Sequence, residues 1–111
     1  MPDLDPEDEK LVILARSTRA RIQAAEGAAV RDTDGRTYAA ATIDLPSLTL
    51  TAVQAAVAAA VSSGAEGLEA AAVVTAEPLV AEESVHAVRD LTADAPVLRA
   101  DPAGDVQETV R

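Results

Sequence analysis

Cysteine, phenylalanine and tryptophan are absent from this 111-residue chain, and Tyr38, His86 and Lys10 are its single tyrosine, histidine and lysine. Without cysteine there are no disulfides and no thiolate metal ligands, a usage compatible with a reducing compartment. Without phenylalanine or tryptophan, the 49% of residues that are hydrophobic must build a core mainly from Ala, Val, Leu and Ile. Each alanine buries little apolar area at about 25 cal/mol per Å². A monomer is therefore expected to be marginally stable and to gain from burying more surface in an oligomer. The lone His86, between Val85 and Ala87, reads as an exposed or locally satisfied side chain rather than a catalyst. No stretch supplies the roughly 20 strongly apolar residues of a membrane span. The acidic start from Met1 to Glu9 is the opposite of a signal peptide's basic start, so a cytoplasmic location is expected.

What the chain does have is acid and alanine. Nineteen acidic residues against 9 basic ones give a net charge of −10, a field that repels phosphates. Neither nucleic acid nor a membrane surface is expected as a partner. Arg16, Arg19 and Arg21 gather only at the end of the first predicted helix, where cations complement the helix dipole. The alanine- and arginine-rich, lysine-poor composition points to a high-GC bacterial genome.

The pattern predicts one domain over 1–100, followed by a loose tail over 101–111 with turn residues and no periodicity. Asp5-Pro6-Glu7-Asp8-Glu9 is a helix start, and Leu11, Leu14, Thr18 and Ile22 form its apolar stripe. Glu26 to Asp32 and Arg36 to Ile43 read as a hairpin around Asp32-Thr33-Asp34-Gly35. That turn lacks the late glutamate of a calcium loop, so plain turn chemistry is expected. Pro46-Ser47 breaks the chain before a second helix that starts at Leu48 or Thr51 and ends at Ser63, with Gly64 as its C′ residue. No residue from Leu45 to Ala65 is charged, so the helix is expected to be buried on all sides, in part by another subunit. Leu68 to Thr75 reads as a central strand. Val80 to Leu91 reads as a third helix with Ala81, Val85, Val88 and Leu91 inward, and Val97 to Ala100 as a last strand. The expected fold is α/β, a mixed α-β-β-α-β-α-β sheet covered by helices.

Three segments carry a family resemblance: Gly27-Ala28-Ala29-Val30, Asp34-Gly35-Arg36-Thr37-Tyr38, and the alanine-rich helix ending at Gly64. In order and spacing they resemble the first half of small cytidine deaminases. Those enzymes begin that helix with Cys-Ala-Glu or His-Ala-Glu and the next with Pro-Cys-x-x-Cys, which together hold zinc and shuttle protons. Here the first triplet reads Thr51-Ala52-Val53, and the second motif falls at Val80-Ala81-Glu82-Glu83-Ser84. The resemblance thus implies metal-ligand positions at Thr51, Ala81 and Ser84 and a proton-shuttle position at Val53. Neutral hydroxyls and methyls do not hold zinc, and valine moves no protons. The family's ribose-binding Asn-x-Glu aligns with Thr42 and Asp44.

A non-catalytic protein with no cofactor and no metal is therefore expected. It would act as a homo-oligomeric structural or protein-interaction module, a dimer or tetramer formed through the helix over 48–63. The alternative is a nucleoside- or nucleotide-binding module using Thr42 and Asp44 without turnover. A remoter one is a hydrolase with a relocated active site. The chain offers it no Gly-x-Ser-x-Gly, P-loop or dinucleotide fingerprint, and the adjacent Glu82 and Glu83 do not share a helical face.

Overall fold

The computed structural model describes residues 4–111; residues 1–3, the first part of the acidic start, lie outside the described residues. The elements run α1 (Pro6–Ile22), β1 (Glu26–Asp32), β2 (Thr37–Ala41), β3 (Ile43–Leu45), β4 (Leu48–Leu50), α2 (Ala52–Ser62), β5 (Leu68–Thr75), α3 (Glu82–Leu91), β6 (Val97–Ala100) and β7 (Val106–Val110). β2, β1, β5, β6 and β7 lie side by side in that order in one mixed sheet. Only the β5–β6 pair is parallel; its neighbours are antiparallel. β3 and β4 form a separate two-stranded hairpin.

The sheet is covered on both faces, and its residues divide between them by the strand period of two. Ala29, Ala70, Ala72, Val74, Leu98 and Ala100 face α1, which contributes Leu11, Val12 and Ala15. On the other face Ala28, Val30, Ala71, Val73 and Val97 meet Val53, Ala56, Val57 and Ala60 of α2 and Val88 of α3. Burying a valine side chain fully contributes about 1.5–3 kcal/mol, more than an alanine can. The fully buried valines Val30, Val53, Val73, Val74, Val88 and Val97 therefore carry much of this core.

α1 starts where Asp5 Oδ1 accepts from the Glu7 amide at 2.8 Å, and ends at Gln23 with φ 56. Arg31 of β1, with 13% of its side chain exposed, fixes the helix over the sheet. Its guanidinium reaches Asp8 of α1 at 3.1 Å and Glu69 of β5 at 2.8 Å. The helix comes so close that a Cβ added at Gly27 would meet the Ala15 carbonyl oxygen and lie 2.8 Å from Arg19 Cβ. The obstacle at Ala15 is backbone, so no rotamer change relieves it.

Several boundaries differ from the sequence reading. The strand expected over 36–43 breaks at Thr42, and Leu48–Leu50 pairs with Ile43–Leu45 instead of opening α2. Pro46-Ser47 is the turn of that hairpin, and Thr51 is the N-cap of α2. Within one chain α2 is covered in part, with Ala58, Val61 and Ser62 exposed. The Val53, Val57, Val61 repeat drifts by about 40° per step of four residues, which carries Val61 out of the core. On α3 the fully buried residues are Ser84 and Val88, with Val85 and Leu91 at the margin and Ala81 outside the helix as N-cap. On α1, Val12 and Ala15 replace Ile22 in the buried stripe.

The segment 101–111, expected as a loose tail, forms β7 paired with β6 and pinned by an Arg99–Glu108 ion pair at 3.1 Å. Its turn copies the first hairpin's. Asp32 Oδ1 accepts from the Asp34 and Arg36 amides at 2.9 Å each, and Asp101 Oδ1 accepts from the Ala103 and Asp105 amides at 3.0 Å each. Gly35 and Gly104 take φ 86 and 92 at the same place in each turn.

Two outcomes follow from this geometry. Gly27→Ala destabilises the protein by about 3 kcal/mol or more, measured by urea unfolding, or prevents folding altogether. Burial alone raises the pKa of Asp32. Hydrogen bonds from the Arg36 amide, the Tyr38 hydroxyl (2.8 Å) and the Asp34 amide outweigh burial and hold it below the ordinary value of 3.8. A depressed carboxylate stabilises the fold above the ordinary value and loses that contribution as pH falls through the folded-state pKa. The urea midpoint therefore drops on acidification below about 3.8, and Asp32→Asn lowers the midpoint at pH 7 while flattening that drop.

Candidate functional site

Thr51, Ala81 and Ser84, singled out in the sequence, gather where α2 and α3 begin. Thr51 caps α2 through a reciprocal box: its Oγ1 accepts from the Gln54 amide at 3.1 Å, and Gln54 Oε1 accepts from the Thr51 amide at 2.9 Å. α3 has no equivalent, because its N-cap is Ala81 and makes no side-chain capping bond. Ser84, three residues into that start and 2% exposed, donates from Oγ to Thr51 Oγ1 at 2.7 Å. Two hydroxyls 33 residues apart in sequence thus join the first turns of both helices.

An open groove of about 430 Å³ lies beside Thr51, with Arg19, Glu26, Thr42, Thr49 and Thr75 among its lining residues. A second, of about 380 Å³, runs past the start of α3 between Pro78 and Glu82 and shares Glu26 and Glu77 with the first. Both lie near the carboxyl end of β5, the end at which open α/β sheets place their ligands. Thr42 lines the first groove, but its hydroxyl is engaged: it accepts from the Glu26 amide at 3.0 Å and donates to the Glu26 carbonyl at 3.3 Å. Arg19 Nε donates to the Ala25 carbonyl at 3.1 Å.

Asp44 stands apart from Thr42. It is exposed on the β3–β4 hairpin opposite Thr49 and does not line the groove. Val53 is fully buried and packs in the core cluster with Val88. His86 is exposed on α3. Sequence reasoning missed Glu26, Thr75 and Glu77 as groove residues. The available signal was their position, since Thr75 ends the central strand and Glu77-Pro78 opens the loop that follows.

This three-layer arrangement, with a cleft at two converging helix starts, defines the class of protein. The chain belongs to the cytidine deaminase-like family: the profile described as "Cytidine deaminase-like" matches residues 4–104. Solved structures share the fold. A cytidine deaminase from Burkholderia pseudomallei aligns at TM-score 0.78 and 20% identity, covering 91% of this chain and 89% of that one. One from Mycobacterium leprae aligns at 0.72 and 19%, covering 93% of each chain. One from Mycobacterium tuberculosis aligns at 0.70 and 24%, covering 96% of this chain and 91% of that one. Among curated proteins none matches.

The family resemblance implies zinc, and the donors present at the implied positions do not fit it. Zinc takes thiolate sulfur, imidazole nitrogen or carboxylate oxygen. Thr51 and Ser84 offer neutral hydroxyls already bonded to each other, and Ala81 offers a methyl group. Among the described residues no three His, Cys, Asp or Glu side chains gather as a metal site. Among the described residues no helix is long and apolar enough to cross a membrane.

The Thr51 cap is a measurable quantity. Thr51→Ser keeps the box and leaves stability near the native value, whereas Thr51→Ala costs about 0.5–2 kcal/mol in chemical unfolding.

Proposed function

We propose that this chain is a non-catalytic member of its family, working in the bacterial cytoplasm as a homo-oligomeric structural or protein-interaction module. The carrying observation is the Thr51–Ser84 hydroxyl bond, with Val53 sealed in the core beside it. Chemistry that needs a metal-activated water and a proton shuttle has no donor set at these positions.

The interaction part rests on surface chemistry. In a chain of net charge −10, the 21 residues from Leu45 to Ala65 carry no charge. Within them Leu45, Leu48 and Val61 are 56%, 47% and 51% exposed. A second copy of the chain is the occupant proposed for this surface, as a dimer or tetramer. The contact extends from α2 onto the β3–β4 hairpin, since Leu48 belongs to that hairpin. The same net charge disfavours nucleic acid.

Light scattering at micromolar concentration tests this. The native chain runs as a dimer or larger, and Leu48→Asp with Val61→Asp shifts it toward monomer while keeping the native circular dichroism spectrum. A native monomer contradicts the proposal.

A second reading, a nucleoside-binding module without turnover, draws on the groove beside Thr42 and Thr51. Asp44 lies outside that groove, and the Thr42 hydroxyl is already paired. A thermal-shift panel of nucleosides at millimolar concentration decides it: a shift lost in Thr42→Val supports binding, and no shift retires it.

A further inference from the structure

The first turn of α3 has a single fully buried side chain. Its N-cap is an alanine with no side-chain bond, and Ser84 and Val88 are its fully buried residues. Val88 sits more than a turn further on, so Ser84 is the one fully buried side chain of the first turn, with Val80 packed against the core just before it. Ser84 is 2% exposed, and its hydroxyl lies 2.7 Å from Thr51 Oγ1, which also accepts from the Gln54 amide. The two contacts on Thr51 Oγ1 are therefore the cap of α2 and the tie to α3.

We infer that the Thr51–Ser84 hydroxyl bond is a metal-free clasp, joining the first turns of α2 and α3 at the place where a zinc-binding relative would join them through the ion. The correspondence of positions 51, 81 and 84 to metal-ligand positions rests on the reading proposed above. The clasp itself rests only on the geometry of this chain.

The energetics of buried hydroxyls make the clasp distinguishable from two independent polar residues. Removing Ser84 Oγ breaks the tie but leaves Thr51 capping α2. Removing Thr51 Oγ1 breaks the tie and also strands the Ser84 hydroxyl in the interior, where an unpaired polar group is costly. Once it is stranded, deleting it removes a burden.

The experiment is a thermal double-mutant cycle on the full chain, combining Ser84→Ala with Thr51→Ala. Ser84→Ala lowers the melting midpoint of the native chain by about 4–8 °C. In the Thr51→Ala background it leaves the midpoint unchanged or raises it. An equal drop in both backgrounds overturns the clasp. Stripping metal from the native chain with EDTA, or adding zinc, leaves the midpoint unmoved; a chelator-induced drop also overturns it.

The positional reading fails or stands separately, in a variant combining Thr51→Cys, Ala81→Cys and Ser84→Cys. Uptake of one zinc per chain with a raised midpoint supports the substitution of clasp for ion. A folded variant that takes up no zinc overturns that equivalence, whatever the cycle reports.

Discussion

Close approach between backbones governs this fold. A core without phenylalanine or tryptophan fills the space between helix and sheet only if the layers draw near each other, and the absence of a Cβ at Gly27 lets α1 settle against β1. Ala28 and Ala29 continue that strand with the smallest side chains, one toward each helical layer. Valines then supply the bulk between them. Arg31 completes the seating of α1 by bridging Asp8 and Glu69, two charges that the sequence alone does not place together.

The layers position the clasp. α2 lies on β1 and β2, and α3 packs mainly against α2 rather than against the sheet. The helix starts are therefore free to converge above the carboxyl end of β5, and what meets there is decided by side-chain identity. Thiolates at this meeting point would suit a metal; Thr51 and Ser84 suit a hydrogen bond, and the neighbouring Val53 packs in the core.

Much of this was legible beforehand. β1, β5 and β6 have the bounds that their apolar runs and flanking turn residues indicated, and Asp5-Pro6 marked the start of α1. The errors lie where local pattern is ambiguous. Leu48-Thr49-Leu50 alternates over too few residues to separate a short strand from a helix start, and its partner Ile43-Asp44-Leu45 shows only in three dimensions. The β6–β7 turn was missed for a different reason. Asp101-x-x-Gly104 repeats the Asp32-x-x-Gly35 spacing, with the aspartate accepting both amides, while the residues after it show no periodicity that marks a strand. In the site, the resemblance implied metal-ligand positions at Thr51, Ala81 and Ser84; what the structure shows there is a Thr51–Ser84 hydroxyl contact. The resemblance paired Thr42 with Asp44 as well, but the break at Thr42 sends Asp44 onto the exposed hairpin. Of the groove residues, Thr75 and Glu77 are neighbours at the end of β5, and only the β1–β5 pairing sets Glu26 beside them.

The most direct measurement of the central claim is the ultraviolet assay of cytidine deamination with the purified chain supplied with excess zinc. A protein whose helix starts are joined by hydroxyls, with Val53 sealed in the core, leaves the cytidine absorbance at the buffer rate. Zinc-dependent conversion to uridine above that rate, lost on chelation, would contradict a non-catalytic role and require a metal site built from other residues.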